Sequence, residues 1–477
     1  MSRSWCMRTA LVSAALLAAG CASVPRDAGI GEVRKVVEER SGQQIVWDPA
    51  APIKPPADES LRPLLEGHLT VERTVEIALA NNRDLLATLE GLGVARADLI
   101  AASTVRNPVF DGEVRFPGGP KNPFEVGITQ TLIDLIQLQK RRALGEAAFE
   151  AARLRVTGSV LGFAAEVRAD YYTLQAAQQV LAEQRTITAA AAASAGLSQR
   201  QHQAGNISDL DLENEQAMYE RAKLNLARVE LDELQSRERL LADLGALQVL
   251  PLTLPAQMLP EKSGQERSAE DLEASIPSRL DVSLAQAELE AARRALPLAR
   301  ASAYADLALG VHHEREPEGR GTTGPAVAAP IPLFDRGLAA RTRAAANLRM
   351  AEQRLHALTA TAGSETRAAR ERLLEARARA EYLRTVIVPR RQRILYLTQL
   401  EYNTMLRGAF DLIRARQGLS DALREQVMAV RDYWLARTEL DAAMAGVTGF
   451  SARPERPQIP RMDLFEPSPQ QESKENQ

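Results

Sequence analysis

The second half of this chain repeats the first half at a distance of 201 residues. Each copy has two short segments of alternating polarity, followed by two very long segments rich in Ala, Leu, Arg and Glu. A repeat of this size means that the fold is built from two copies of one unit. The matching segments are Leu132-Ile133-Asp134 with Leu333-Phe334-Asp335, Gln216 with Gln417, and Leu244-Gly245-Ala246 with Ala445-Gly446-Val447.

The N-terminal residues have the pattern of a bacterial export signal. A positively charged start precedes the apolar stretch Leu11–Leu17, and small residues precede Cys21. Such a segment is removed in the mature protein and is excluded from the fold. Residues 17–21 also resemble the lipobox of bacterial lipoproteins, which implies that Cys21 is lipidated. Ala22 follows the cysteine instead of the aspartate that marks inner-membrane retention, so the resemblance implies sorting to the outer membrane.

The composition excludes several classes of function. The net charge is −3, with 62 acidic and 59 basic residues interspersed, so the chain has no nucleic-acid-binding footprint. Cys6 lies in the predicted signal peptide, which leaves Cys21 as the mature chain's cysteine and removes internal disulfides and thiol catalysis. Aromatic residues make up 4% of the chain. The long segments have the composition of long helices and coiled coils.

The order of these segments predicts a division into six regions. The helical part of the first repeat begins with Thr70 as N-cap and continues to about Thr104. The regions are a signal peptide (1–20), a lipidated Pro-rich leader with one short helix at about 31–40 (21–67), a first repeat (68–246), a linker (247–267), a second repeat (268–447) and a disordered tail (448–477).

Each repeat contains two candidate strands, at about 108–131 and about 305–333. In Phe110–Phe116 apolar or small residues alternate with charged ones, so a strand there would have one apolar and one charged face. We expect a loop at 318–324 and a strand from Ala326 that Pro330 and Pro332 weaken. Two ordinary hairpins on a soluble domain would give the same alternation. The pattern is also that of transmembrane β-strands, with lipid on one side and water on the other.

Two helical hairpins are predicted, at about 134–245 and about 335–446. A single helix over 134–205 would be roughly 100 Å long, which is too long for a compact domain. Its apolar residues, and those of the next helix, have the spacing of packed seams. We expect a turn at Gly205–Asp209 with Ser208 or Asp209 as cap, a second turn near Arg407-Gly408, and a kink at Pro389. The seam residues are Phe163, Val167, Tyr171, Leu174 and Leu181 in the first helix, and Leu224, Leu231, Leu234 and Leu241 in the second.

Three motifs identify a family resemblance over about 69–446. They are residues 331–337 at the strand-to-helix junction, the Gly-x₅-Asp segment at 205–211, and residues 408–413 with Gln417. Together with the duplication they resemble the TolC-type outer-membrane efflux family. The resemblance implies a mainly α fold with a small β part, assembled as a trimeric α-barrel with a 12-stranded transmembrane β-barrel. It implies no enzymatic activity, but export of small molecules or metal ions together with a periplasmic adaptor (membrane fusion protein) and an inner-membrane pump.

The same resemblance supplies candidate pore and gate residues. Asp411 matches the family's first pore acid, and Arg414 stands where some members have a second acid. Asp211 matches the acid at the tip of the first hairpin, and Arg407 is the expected ion-pair partner of Asp211. Like charges in a narrow pore attract cations and repel anions. All four residues could instead be solvated charges of the turns.

No residue pattern indicates a cofactor or a metal site. The adjacent His312 and His313 would point to opposite faces of a strand, so they would not chelate one ion. They are the only closely spaced pair among the five histidines, His68, His202, His312, His313 and His356.

The sequence leaves alternatives open for the exported cargo and for the class of protein. Residues 395–403 and 431–434 are similar to members associated with heavy-metal efflux, although the pore residues select no metal. Long Ala-rich helices also occur in periplasmic adaptor subunits and in structural coiled-coil lipoproteins. An adaptor would have one hairpin flanked by lipoyl-type β segments, and a structural coiled coil would lack the alternating strands.

Overall fold

A computed structural model gives the fold. It describes residues 29–47, 58–116, 123–258, 268–301, 307–316, 320–334 and 336–447. The predicted signal peptide, the predicted lipidation site Cys21 and the predicted tail lie outside these ranges.

The described residues form eleven α-helices and one four-stranded sheet. The helices are α1 (Ile30–Ser41), α2 (Asp58–Leu61), α3 (Val71–Asn81), α4 (Arg83–Ser103), α5 (Leu132–Gln203), α6 (Asp209–Asp243), α7 (Ala269–Ser275), α8 (Leu280–Arg300), α9 (Leu338–Tyr382), α10 (Val388–Asn403) and α11 (Ala409–Ala445). Short 3₁₀ turns lie at Arg62–Leu64 and Ile276–Ser278, and a π turn at Leu383–Ile387 joins α9 to α10. The strands are β1 (Val109–Val114), β2 (Phe124–Thr131), β3 (Ala308–Arg315) and β4 (Gly321–Ala328).

The strands form one antiparallel sheet in the order β1-β2-β3-β4, so β1 and β4 are its edges. Because Phe110 pairs with Ile128 and Ile128 with Val311, the apolar side chains of three strands share one face. The opposite face carries Asp111 of β1 and His312 of β3, which lie on either side of Gly127. The alternation read from the sequence is therefore a property of the whole sheet.

The long helices pack side by side as two overlapping layers. α5 has 72 residues, about 110 Å at 1.5 Å per residue. Near the sheet the packing order is α4, α5, α8, α9, and further from the sheet it is α6, α5, α11 and then α9 with α10. α5 thus runs through both layers, as does the pair α9 and α10. In each layer, the helix at either end packs against described helices on one of its sides only.

A buried ion pair fixes α5 where it leaves the sheet. The Asp134 carboxylate is 5% exposed. It accepts hydrogen bonds from the Arg106 guanidinium at 2.6 and 3.2 Å and from Arg141 at 3.2 Å. The hydrogen bond from Arg106 holds the pKa of Asp134 below its usual value. This side chain belongs to the repeated Leu-Ile-Asp segment, so the repeat marks a structural junction.

Three details differ from the sequence prediction or sharpen it. The helix predicted from Thr70 to about Thr104 is wrong as a single helix, because Asn82 ends α3 and caps α4 through the Leu85 amide. The loop predicted at 318–324 is wrong in part, since Gly321–Gly324 pairs with β3 as the start of β4. An edge strand tolerates Pro325 and ends before Pro330. Near Pro389, where the sequence predicted a kink or a local unwinding, the helix widens into the π turn Leu383–Ile387.

The leader also contributes to the core. The short helix predicted at about 31–40 is confirmed as α1, and its Val33 and Val37 are fully buried in the main hydrophobic cluster. Arg40 donates to the Ala445 carbonyl at the end of α11 and to the Ser278 carbonyl at 2.7 Å. The segment that follows the predicted lipidation site is therefore attached to both repeats.

The two predicted seams have different environments. In α5 the seam is buried, with Val167 and Leu174 at 0% exposure. In α6 only Leu241 of the predicted seam is buried, whereas Leu224 is 74% exposed and Leu231 52% exposed. The spacing predicted a packed face, and a single copy of the chain does not cover it.

Two carboxyl groups meet between α5 and the end of α6. Burial raises the pKa of Asp243 to about 8, with Asp170 and Glu166 adding repulsion. Burial also raises the pKa of Asp170. In an unfolded chain an aspartate titrates near pH 4. Between about pH 4 and pH 8 the native state thus binds more protons at Asp243 than the unfolded state does, and stability falls as the pH rises.

We expect Asp243→Asn to remove part of this pH dependence. Its melting temperature should exceed that of the wild type at pH 8, and the difference should shrink at pH 5, where the wild-type carboxyl is protonated. Thermal unfolding of the purified protein at both pH values measures the effect. Asp232→Asn, at an exposed position of the same helix, is the control. Identical pH dependence in Asp243→Asn and the wild type would contradict the assignment.

Candidate functional site

The tip of the first hairpin is held by a capping box. The Ser208 side chain accepts a hydrogen bond from the Asp211 amide, and the Asp211 carboxylate accepts one from the Ser208 amide. This arrangement satisfies amide groups at the start of α6. His202 Nε2, at the end of α5, lies 2.6 Å from an Asp209 carboxylate oxygen. Ser208 is therefore the cap that the sequence predicted, and Asp211 contributes to the turn itself.

The tip of the second hairpin is organised around Arg407. Its Nε donates to a Glu401 carboxylate oxygen at 3.0 Å, and its Nη1 lies 4.0 Å from Asp411 Oδ2. Asp411 sits in the first turn of α11, where a negative charge complements the helix dipole. Met405 has φ 60°, the left-handed conformation that reverses the chain here. Asp411 and Arg407 are thus brought together by the turn.

The two tips share one groove of about 340 Å³ between α6 and α11. Asp211 and Arg414 both line it, although they come from different repeats. Gln417 Nε2 lies 3.3 Å from the Met218 sulfur across the groove, so the helices are in contact beside it. The remaining lining residues are Asn214, Phe410 and Ile413. All four candidate gate residues therefore lie at the tips of the two helical hairpins.

The predicted ion pair between Asp211 and Arg407 is not formed within one copy of the chain. Arg407 is engaged by Glu401 and Asp411, and Asp211 by Ser208. Glu401 is a residue that the sequence reasoning missed. Its only signal was its position six residues before Arg407, which places both in one turn.

Two apolar edges of the helical layers remain exposed. The first edge is the exposed leucine row of α6. The second edge is the exposed apolar row of α9 and α10. The residues of the first edge are Leu224, Leu231 and Leu234, and those of the second edge are Leu338, Ile394, Leu397 and Leu400. Exposed apolar residues on opposite sides of a layer are typical of surfaces that another chain covers.

Within the described ranges, no group of three or more metal-ligating side chains could hold a metal ion. His312 and His313 do point to opposite faces of β3, as predicted: His312 contacts Glu125, and His313 contacts Thr323. Among the described helices, none is long and apolar enough to cross a membrane.

Comparison with known proteins identifies a family similarity in the first repeat. Residues 74–246, which are nearly the whole first repeat, match the family model of outer membrane efflux proteins. Over these residues the chain is similar to the outer membrane efflux protein family. A search of curated proteins finds no match.

Solved structures share the fold of this chain at low sequence identity. The CmeC outer membrane channel of Campylobacter jejuni has a TM-score of 0.67 at 17% identity, over 79% of this chain and 86% of CmeC. The outer membrane protein VceC of Vibrio cholerae has a TM-score of 0.63 at 15% identity, over 79% and 96%. The open-state MtrE outer membrane channel of Neisseria gonorrhoeae has a TM-score of 0.62 at 16% identity, over 80% and 91%. The predicted fold, mainly helical with a small sheet, is confirmed.

Proposed function

We propose that this chain is the outer-membrane channel of a tripartite efflux system, extending from the outer membrane into the periplasm. Three copies would form a ring around a continuous lumen. The observation that carries the proposal is the pair of uncovered edges, one on each side of every copy. The family match over residues 74–246 and the shared fold favour a channel over the adaptor or structural coiled-coil alternatives.

The helical edges support a closed ring. In each copy the first edge lies at one end of the helical layer and the second edge at the other, so two copies would meet by unlike surfaces. Head-to-tail contacts of this kind generate a ring when the rotation closes. Such a contact would bury Leu224 and Leu231 of one copy against Ile394 and Leu397 of the next. The seam spacing of α6 is then explained by packing between copies.

The sheet supports the same arrangement. β1 follows α4 and β4 precedes α9, so the free strand edges lie on the same sides as the free helical edges. Unpaired backbone groups in lipid each cost several kcal/mol. Pairing β4 of one copy with β1 of the next would remove this cost and give twelve strands. The apolar face would then contact lipid and the charged face the lumen.

The tips would form the periplasmic entrance. In the ring, α6 of one copy would stand beside α10 of the next, which brings Asp211 near a neighbouring Arg407. The Asp211–Arg407 ion pair, absent within one copy, is then proposed between copies. Asp411 would face the constriction, and the groove between α6 and α11, which Arg414 lines, would accept a periplasmic adaptor. The cargo is proposed to be metal ions or other small molecules supplied by an inner-membrane pump.

Purified protein in a planar bilayer tests this function. It should give discrete conductance steps, and Asp411→Asn should lower the cation-to-anion permeability ratio by about twofold, since three carboxylates leave one constriction. Asp421→Asn on the same helix, where Asp421 pairs with Arg424, is the control and should leave the ratio unchanged. If the protein conducts in discrete steps but Asp411→Asn has the same permeability ratio as the wild type, then Asp411 faces away from the pore. Lack of conductance would contradict the channel itself.

The lipid anchor is a separate proposal, because Cys21 lies outside the described residues. Cys21→Ser should abolish incorporation of labelled palmitate while leaving most export, since the sheet would provide the main membrane contact. A single acyl chain gives only weak anchoring, which is why a second contact is expected. A wild-type protein that takes up no palmitate would contradict the lipobox assignment.

A further inference from the structure

The charged face of the sheet contains a bridge across three strands. The His312 imidazole of β3 lies over Gly127 of β2. Its Nε2–H donates to the Glu125 carboxylate, and its Nδ1 is 4.0 Å from Asp111 Oδ2 of β1. His312 and Glu125 side chains are each about one-third exposed. The imidazole therefore contacts its carboxylate partners while remaining open to solvent.

Gly127 makes this bridge possible. A Cβ at this position would lie 2.6 Å from His312 Nδ1 and 2.7 Å from both Asp111 carboxylate oxygens. Real Cβ atoms do not approach polar atoms so closely, so any larger residue would push the imidazole and the carboxylate apart. Gly127 lies inside β2, where a glycine costs backbone entropy on folding. Its effect is to leave room for His312 beside Asp111.

The protonation chemistry follows from this geometry. A carboxylate only accepts hydrogen bonds, so the neutral imidazole holds its proton on Nε2 toward Glu125. A second proton enters at Nδ1, which faces Asp111. Histidine is the side chain whose charge ordinarily changes between pH 5 and pH 8. Protonation would thus place a positive charge between two carboxylates on the charged face.

The charged face of the sheet has a small net charge, so one added proton changes that charge substantially. Among the described residues, β1 and its end contribute Asp111, Glu113 and Arg115, and β2 contributes Glu125. β3 and its end contribute Glu314 and Glu316, and Arg320 precedes β4. The β4 residue paired with His312 is the uncharged Gly324. Arg115 donates to both Glu113 and Glu125. Five carboxylates and two guanidinium groups give a formal charge of −3 per copy among the described residues, so protonation of His312 removes a third of it.

We infer that His312 is a selectivity residue of the lumen, whose protonation lowers the channel's preference for cations. This inference rests on the proposed function, because it places the charged face of the sheet inside the channel. It assigns a second, pH-dependent charge zone near the outer membrane, far from Asp411 at the tips. Cationic cargo would pass this zone more readily at neutral than at acid external pH.

Reversal potentials in a planar bilayer under a salt gradient test the inference. For the wild type, the cation-to-anion permeability ratio should fall by about twofold between pH 8 and pH 5. His312→Gln should keep the high ratio at every pH, and His312→Lys should keep the low one. His313→Gln is the matched control, since His313 lies on the opposite face against Thr323, and it should behave as the wild type does.

Each result has a distinct meaning. The same pH dependence in His312→Gln and the wild type would overturn the inference, as would a wild-type ratio that stays constant between pH 5 and pH 8. Conductance in these cases leaves the proposed channel standing. Lack of any wild-type conductance would overturn the channel and the inference together. His312→Gln is expected to fix the permeability ratio at its high value and His312→Lys at its low value. If one of these variants does not assemble, the other still tests the inference.

Discussion

Replacing Ile128 by arginine is expected to prevent stable insertion of the protein into the outer membrane. Ile128 lies in the middle of β2, is 57% exposed and pairs with Phe110 and Val311 on the apolar face. An arginine facing lipid near the bilayer midplane costs about 2–4 kcal/mol. Three copies would each carry this cost. Outer-membrane yield of the folded, heat-modifiable species, measured after fractionation, should fall sharply.

The next residue provides the control. Thr129 points to the opposite face, where it pairs with Val109 and Gly310. Thr129→Arg should insert at nearly wild-type yield, because a lumen-facing charge changes selectivity more than stability. Equal yields for Ile128→Arg and Thr129→Arg would mean that the apolar face does not contact lipid.

Aspartate at Leu224 and Leu231 together is expected to abolish assembly while leaving each copy folded. Both leucines belong to the first edge, and neither is buried within one copy. The single chain therefore loses little when they become charged. In the ring, each interface would have to bury two carboxylates without partners, and unpaired buried charges strongly oppose association. Native mass spectrometry in detergent should show a change from trimer to monomer.

Asn225→Asp is the control for this double variant. It adds a negative charge at an exposed position next to Leu224, outside the leucine row. Trimers should persist in this control, and circular dichroism should show equal helix content in all three proteins. A double variant that remains trimeric would show that the first edge does not form the interface.

Much of the fold was predictable, because the internal repeat and the spacing of the apolar residues indicate the helices and strands. The predicted helix over 134–205 is observed as Leu132–Gln203, since no proline or glycine cluster interrupts it. Helix α1 and the strands β1, β2 and β3 were likewise predicted near their observed positions. Boundaries were harder where one side chain decides them. Asn82 breaks a continuous helical pattern by capping α4, and its signal is a single residue with ordinary helical neighbours.

The candidate site was less accessible to sequence reasoning. The motifs located both tips, but the partner of Arg407 depends on how the chain turns at Met405, which positive φ allows and periodicity does not reveal. Asp211 was assigned to an ion pair, whereas within one copy it closes the capping box with Ser208. The bridge at His312 was also not predicted from the sequence. It joins residues from β1, β2 and β3 that only the strand register brings together.

Electron cryomicroscopy of the full-length protein in lipid nanodiscs tests the proposed channel most directly. The expected particle has threefold symmetry, twelve strands within the disc and a continuous helical wall below it. In that wall α6 of each copy should contact α10 of the next, with Leu224 and Leu231 buried at the contact. A monomer, or an assembly whose α6 leucines remain exposed to solvent, would contradict it.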